Sequence, residues 1–164
     1  MQQLSANFTL ADVMKSDKAR ELGINNTPPA EVIERAINVA VNVLERVAQH
    51  YGVQNVEINS WFRCEALEKA ICAGAYVSWR KRLGLPDTEA SWKRYFAAKQ
   101  HPKGDAVDFE VKGVSNEDLF NWIKANLEFD QLILEFHKKN DPRSGWVHVS
   151  HVPLNNRRQS FRIG

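Results

Sequence analysis

Apolar residues recur along the chain at two periods, and the period separates helix from strand. From Ile33, the positions Ala36, Ile37, Ala40, Val43, Leu44 and Val47 keep the i, i+3, i+4 spacing. They predict a helix that runs to about Tyr51 and stops at Gly52, with Thr27 as its N-cap and Pro28-Pro29 in its first turn. Upstream, Thr9 with Asp12 three residues on has the form of a capping box and opens a short helix ending near Gly23. Further helices are predicted from Glu65 to about Arg82, ending near Gly84, from Thr88 onward, and from Ser115 to about Leu127. Alternation with period two marks Val56–Phe62, Asp105–Val111, Gln131–Phe136 and Gly145–Val149 as strands. The tail from Asn155 is polar and Arg-rich. Helices first and strands later predict one α+β domain over residues 1–164, a small, mainly antiparallel sheet with helices packed on it.

The period of two also sorts side chains between the two faces of each strand. Val107, Phe109 and Val111 point to the core, leaving Ala106, Asp108 and Glu110 on the other face, where the small Ala106 leaves room beside Asp108. Val147 and Val149 face the core, so Trp146, His148 and Ser150 share the open face, and His151 has the wrong parity to join them. Leu132, Leu134 and Phe136 face the core, which puts Glu135 on the open side. His101 precedes Asp108 by seven residues and would lie on the opposite face of an unbroken strand. The turn Pro102-Lys103-Gly104 frees it to fold back. If Phe136 pairs with Gly145, Glu135 stands opposite Trp146 and diagonal to His148, about 7–8 Å away.

Two histidines and an aspartate are ligands that suit zinc. His101, Asp108 and His148 therefore read as a three-ligand site for one Zn²⁺ per chain, with Glu135 as general base. Asp141, in the turn after Glu135, is the competing carboxylate. Zinc in such a site would lower the pKa of a water toward about 7 and polarise a carbonyl. Arg63, just past the first strand, is the candidate cation for an oxyanion or a substrate carboxylate.

Composition narrows the classes. A chain of 164 residues with 43% apolar and 26% charged residues excludes a disordered polymer, a fibre and a disulfide-stapled miniprotein. The net charge of +2 names no partner, but residues 76–103 carry seven Lys or Arg against Asp87 and Glu89. That excess suits an anionic polymer, and no nucleic-acid motif accompanies it. Cys64 and Cys72 lie about 12 Å apart along the predicted helix, too far to bridge. They read as reduced, buried packing residues of a protein made in the cytosol. No basic segment followed by an apolar run opens the chain, and no run approaches the roughly 18 residues a membrane span needs.

These motifs together resemble the zinc D-alanyl-D-alanine carboxypeptidase and phage endolysin peptidases, which share the hedgehog-type peptidase fold. His101, Gly104, Ala106 and Asp108 match the pattern Ser-x-His-x-x-Gly-x-Ala-x-Asp, and residues 146–150 match its closing Trp-Val-His-Val-Ser. Ser60-Trp61-Phe62-Arg63 resembles the arginine motif, and Phe8-Thr-Leu through Asn26-Thr-Pro-Pro29 resembles the carboxy-terminal-type branch. The departures are Lys99 for the motif's serine, Glu68 for an asparagine, Gly74 alone for a Gly-Gly element, and a basic insertion over about 76–98. The resemblance implies zinc on His101, Asp108 and His148, a substrate-binding Arg63, and hydrolysis of peptidoglycan stem peptides. It implies a phage endolysin or virion-associated lysin, expected as a monomer made in the cytoplasm that acts on the cell wall after release or from a virion. A bacterial D-alanyl-D-alanine carboxypeptidase and a non-catalytic wall-binding or phage structural module on the same fold are the alternatives.

Overall fold

The first turn of the long N-terminal helix shows how local chemistry sets the frame. Thr27 does not cap it: the Thr27 hydroxyl donates to Asn25 at 2.7 Å, and Pro29 is the N-cap residue of α3 (Ala30–Val39). The computed structural model, which describes residues 2–164, continues this helix through a π-helical turn (Ala40–Leu44) into α4 (Glu45–Tyr51). Ahead of it the single short helix expected is two, α1 (Leu10–Met14) and α2 (Asp17–Leu22). The Thr9–Asp12 capping box is present, and Gly23 ends α2 in the left-handed region.

Five strands form one sheet in the order β1-β2-β4-β3-β5. They are β1 (Val56–Ser60), β2 (Ala106–Val111), β3 (Gln131–Glu135), β4 (Trp146–Ser150) and β5 (Gln159–Ile163). The first four pair antiparallel, while β5 runs parallel to β3. The α+β expectation with a mainly antiparallel sheet holds, and the polar, Arg-rich tail, not assigned to a strand from the sequence, supplies the fifth one. Its residues are mostly exposed on an edge, so it carries no core pattern.

One face of the sheet is covered by the α3–α4 rod and by α7 (Asn116–Asn126). Val107, Phe109, Leu132, Leu134, Val147 and Val149 are at most 1% exposed there, against Val39, Val43, Leu44, Leu119 and Ile123. Alternation therefore identifies the core face of these strands, with one exception. Phe136 is 52% exposed, because β3 ends at Glu135 and the backbone of Phe136 turns into the left-handed region at φ 53°. Ala106 borders no open space: it is fully buried opposite Ser150.

The basic insertion forms most of a helical hairpin, α5 (Glu65–Leu83) and α6 (Glu89–Ala97), beside the other face of the sheet. Thr88 caps α6 by accepting from the Ser91 amide. Cys64 and Cys72 are free thiols as expected, but both are only half-buried. Among the described residues no helix is long and apolar enough to cross a membrane.

Candidate metal centre

β2 and β4 are adjacent antiparallel strands, and their register pairs Asp108 directly with His148. Both side chains stand on the face away from the core. His101 reaches them from the 3-10 turn His101–Lys103, which ends at Gly104 with φ 77°. A side chain at Gly104 would meet the Val32 carbonyl at 2.7 Å, so only glycine fits this turn against α3. His101, Asp108 and His148 are each at least 94% buried, and their ligand atoms lie within 4.8 Å of one another. Asp108 Oδ1 is 3.1 Å from His101 Nε2 and 2.8 Å from His148 Nδ1.

Hydrogen-bond accounting shows that these three groups fit a metal ion. His101 Nδ1 lies 2.6 Å from the Trp61 carbonyl, which can only accept. Nδ1 therefore carries the proton and Nε2 turns a lone pair to Asp108. His148 Nε2 lies 3.2 Å from Gln100 Oε1, also an acceptor, and with its proton on that side His148 turns a bare Nδ1 inward. In that protonation state three acceptors converge with no hydrogen among them. Added protons or a cation would make that arrangement attractive, and burial lowers the pKa of His101, opposing the proton. A divalent ion satisfies all three groups at once, and two imidazoles with one carboxylate suit zinc.

Arg63 sits at the edge of this cluster. Asn26, 5% exposed, holds its loop on both sides: its amide donates to the Phe62 carbonyl at 3.0 Å and its oxygen accepts from the Cys64 N–H at 2.9 Å. The Arg63 guanidinium donates to Asp108 Oδ2 at 2.5 Å and to Ser60 Oγ at 2.8 Å. Its third nitrogen lies 3.8 Å from the buried Glu68 carboxylate. Two edges of the fork are thus engaged with the protein itself.

Glu135 stands opposite Trp146 in the β3–β4 register, as the spacing predicted, and its carboxylate comes within 4.0 Å of His148 Nδ1. Its pKa is raised, first by burial and then by the charge of Asp108. Asp141 is exposed in the turn between the two strands, and His151 is turned away, its ring bonded to Asn38. A cleft of about 530 Å³ joins the parts, lined by Arg63, Glu68, His101, Asp108, Glu135 and His148 on one side. Cys72, Ala75 and Lys99 of the hairpin side face it, and Phe136, Trp146 and Ile163 form an apolar lip. Gln100 is the participant the spacing did not reveal. It reads as a polar spacer before His101, and only the fold brings its side chain to His148.

Comparison with protein-family models, with curated proteins and with solved structures finds no match.

Proposed function

We propose that the chain is a zinc-dependent peptidase that hydrolyses peptide bonds in peptidoglycan stem peptides, acting as a phage endolysin or virion-associated lysin. One observation carries the metallopeptidase reading: three buried acceptors, their lone pairs turned inward by their own hydrogen bonds, open onto a cleft that also holds a carboxylate. The choice of peptidoglycan rests on the motif resemblance of residues 99–108 and 146–150.

His101, Asp108 and His148 would hold the ion. Zinc there would polarise the scissile carbonyl and favour ionisation of water. Glu135 is placed to take a proton from the attacking water and return it to the leaving amine. Arg63 fixes Asp108 and sets positive charge at the cleft wall, where an oxyanion develops. Phe136 and Trp146, with ring centroids 5.3 Å apart, offer an apolar rest for the substrate beside the site.

Metal analysis of protein purified without chelator should show one zinc per chain, and His148→Ala should lose most of it. Full occupancy in that variant would remove the ligand assignment. Mass spectrometry of muropeptides digested by the purified protein should show a new peptide end whose formation stops with chelator. Walls bound but never cut would turn the reading to a binding module.

A further inference from the structure

The bare Nδ1 of His148 depends on which end of the Gln100 amide faces it, and that choice is made elsewhere. Gln100 Nε2 donates to Asp130 Oδ2 at 2.8 Å. Asp130 is 4% exposed, and an ionised carboxylate only accepts, so the amide nitrogen must point to Asp130 and the oxygen to His148. Asp130 is in turn fixed by Arg157, whose Nε reaches Oδ1 at 2.8 Å and whose terminal nitrogen reaches Oδ2 at 2.5 Å. The Arg157 backbone N–H adds a third bond at 3.2 Å. The chain around Arg157 is itself pinned, since Arg158 N–H donates to the Phe129 carbonyl and Gln159 N–H to the Asp130 carbonyl, both at 3.0 Å. Gln100 cannot drift either, because its carbonyl accepts from Lys103 at 3.1 Å and Asp105 at 3.2 Å.

We infer that Gln100, Asp130 and Arg157 are positioning residues, a relay that fixes the tautomer of His148 and so directs its lone pair to the metal. None of the three touches the reacting atoms. The inference rests on the zinc reading for its effect on affinity; in the metal-free protein Asp108 Oδ1, 2.8 Å from Nδ1, competes with Gln100 for the His148 proton, and the relay shifts that balance toward Nε2–H. Outer partners of this kind are worth 10–100-fold in metal affinity or activity.

One isosteric change should reverse the relay. Asp130→Asn can offer an N–H where the carboxylate accepted, so the Gln100 amide should turn over and present its own N–H to His148. His148 must then accept at Nε2 and carry its proton on Nδ1, the wrong side for the metal. Adding Gln100→Glu to Asp130→Asn keeps the total charge and restores an acceptor opposite His148.

The ¹⁵N resonances of the metal-free protein, recorded above the imidazole titration range, distinguish the tautomers. The expected result is a larger Nε2–H share in the parent than in Asp130→Asn, and a return toward the parental share in the double variant. Zinc affinity, measured by competition with a chelator, should fall about 10–100-fold in Asp130→Asn and recover at least partly in the double variant. An unchanged tautomer and affinity in Asp130→Asn, or a double variant no better than the single one, overturns the relay. Should Asp130→Asn fail to fold, Gln100→Met decides: the relay requires weaker zinc binding at an unchanged melting temperature, and parental affinity refutes it. A parent that binds no zinc removes the metal reading, and the tautomer shift alone then decides for or against the relay. Absence of peptide hydrolysis bears on neither measurement.

Discussion

The two walls of the cleft are built on opposite plans. The sheet wall holds its polar groups buried and bonded: His101, Asp108 and His148 are at most 6% exposed, and each is held by hydrogen bonds from separate parts of the chain. The hairpin wall stands away from the body. Of the 19 residues of α5 only Leu67 and Glu68 are buried, both in its first turn. Beyond them the hairpin is held by its own rings, with Tyr76, Trp79, Trp92 and Tyr95 at centroid separations of 5.2–6.2 Å. Chemistry needs donors fixed to a fraction of an ångström, and the sheet supplies that. A wall with its own small core can open or melt locally without disturbing the ligands.

The sharpest way to test this division is to neutralise the candidate base on the rigid wall, Glu135. Glu135→Gln should keep zinc and the melting temperature while hydrolysis falls roughly 100-fold or more. Asp141→Asn, in the exposed turn, should turn over normally. A dead Asp141→Asn beside a normal Glu135→Gln would falsify the assignment of the base.

A change confined to the other wall should leave the ligands alone. Trp92 is 7% exposed, and its N–H donates to Glu65 at 2.7 Å. Trp92→Ala should cost about 3–5 kcal/mol within the hairpin, the usual range for a buried tryptophan. Hydrogen exchange should show α5 and α6 losing protection while zinc affinity stays at the parental value. A parallel loss of zinc would mean that the two walls form one cooperative unit.

The rigid wall also carries a buried acid whose effect is smaller. Burial pushes the Asp105 carboxyl up to about 6, although Arg35, at 2.8 Å, and Lys103 pull it down, while Asp130 pushes it up. The raised value means that the native state holds this proton more tightly than the unfolded chain. Its contribution to stability is therefore full below about pH 4 and is lost as pH rises to about 6, on the order of 1–3 kcal/mol. Denaturant melts of the parent and of Asp105→Asn should differ in slope over that window, with the variant flatter. Equal slopes would show that the Arg35 pair offsets the burial.

The smallest effect belongs to the charges of the hairpin. Arg80 is not free for a partner: it pairs with Asp87 at 3.1 Å, donates to the Leu85 carbonyl and lies over the Tyr76 ring. Lys81 and Arg82 are exposed. Replacing both by Gln should weaken binding to intact cell walls several-fold and flatten its salt dependence, because exposed charges are screened over about 8–10 Å. Cleavage of a short soluble peptide should not change.

Much of the site was legible because a strand has only two faces. The period of two placed Asp108, Glu135 and His148 on one side, and the register across residues 136–145 followed from the turn-rich stretch between. What escaped depends on geometry that no local pattern carries. Phe136 continues an apolar alternation, yet its backbone has already left the strand. β5 is an edge strand with little to bury, and the alternation of Ser160, Phe161, Arg162 and Ile163 is too short to stand out from the polar tail. The role of Gln100 is written 30 residues away in Asp130 and 57 away in Arg157. Thr27 has the chemistry of a cap but spends its hydroxyl on Asn25.

Gly145 has a consequence for how such a sequence can vary. Its backbone has φ 70°, and a Cβ there would lie 1.8 Å from the Glu135 carbonyl oxygen, closer than atoms can approach. Position 145 is thus closed to every side chain while β3 and β4 keep this turn. The place of the carboxylate on β3 and the glycine at 145 are tied together by one turn. A single substitution could not place an acid at position 145, because that side chain would first have to push apart the strands that hold Glu135. Insertions or deletions within residues 137–144, which reset the turn, are the route by which that acid could change its place in the chain.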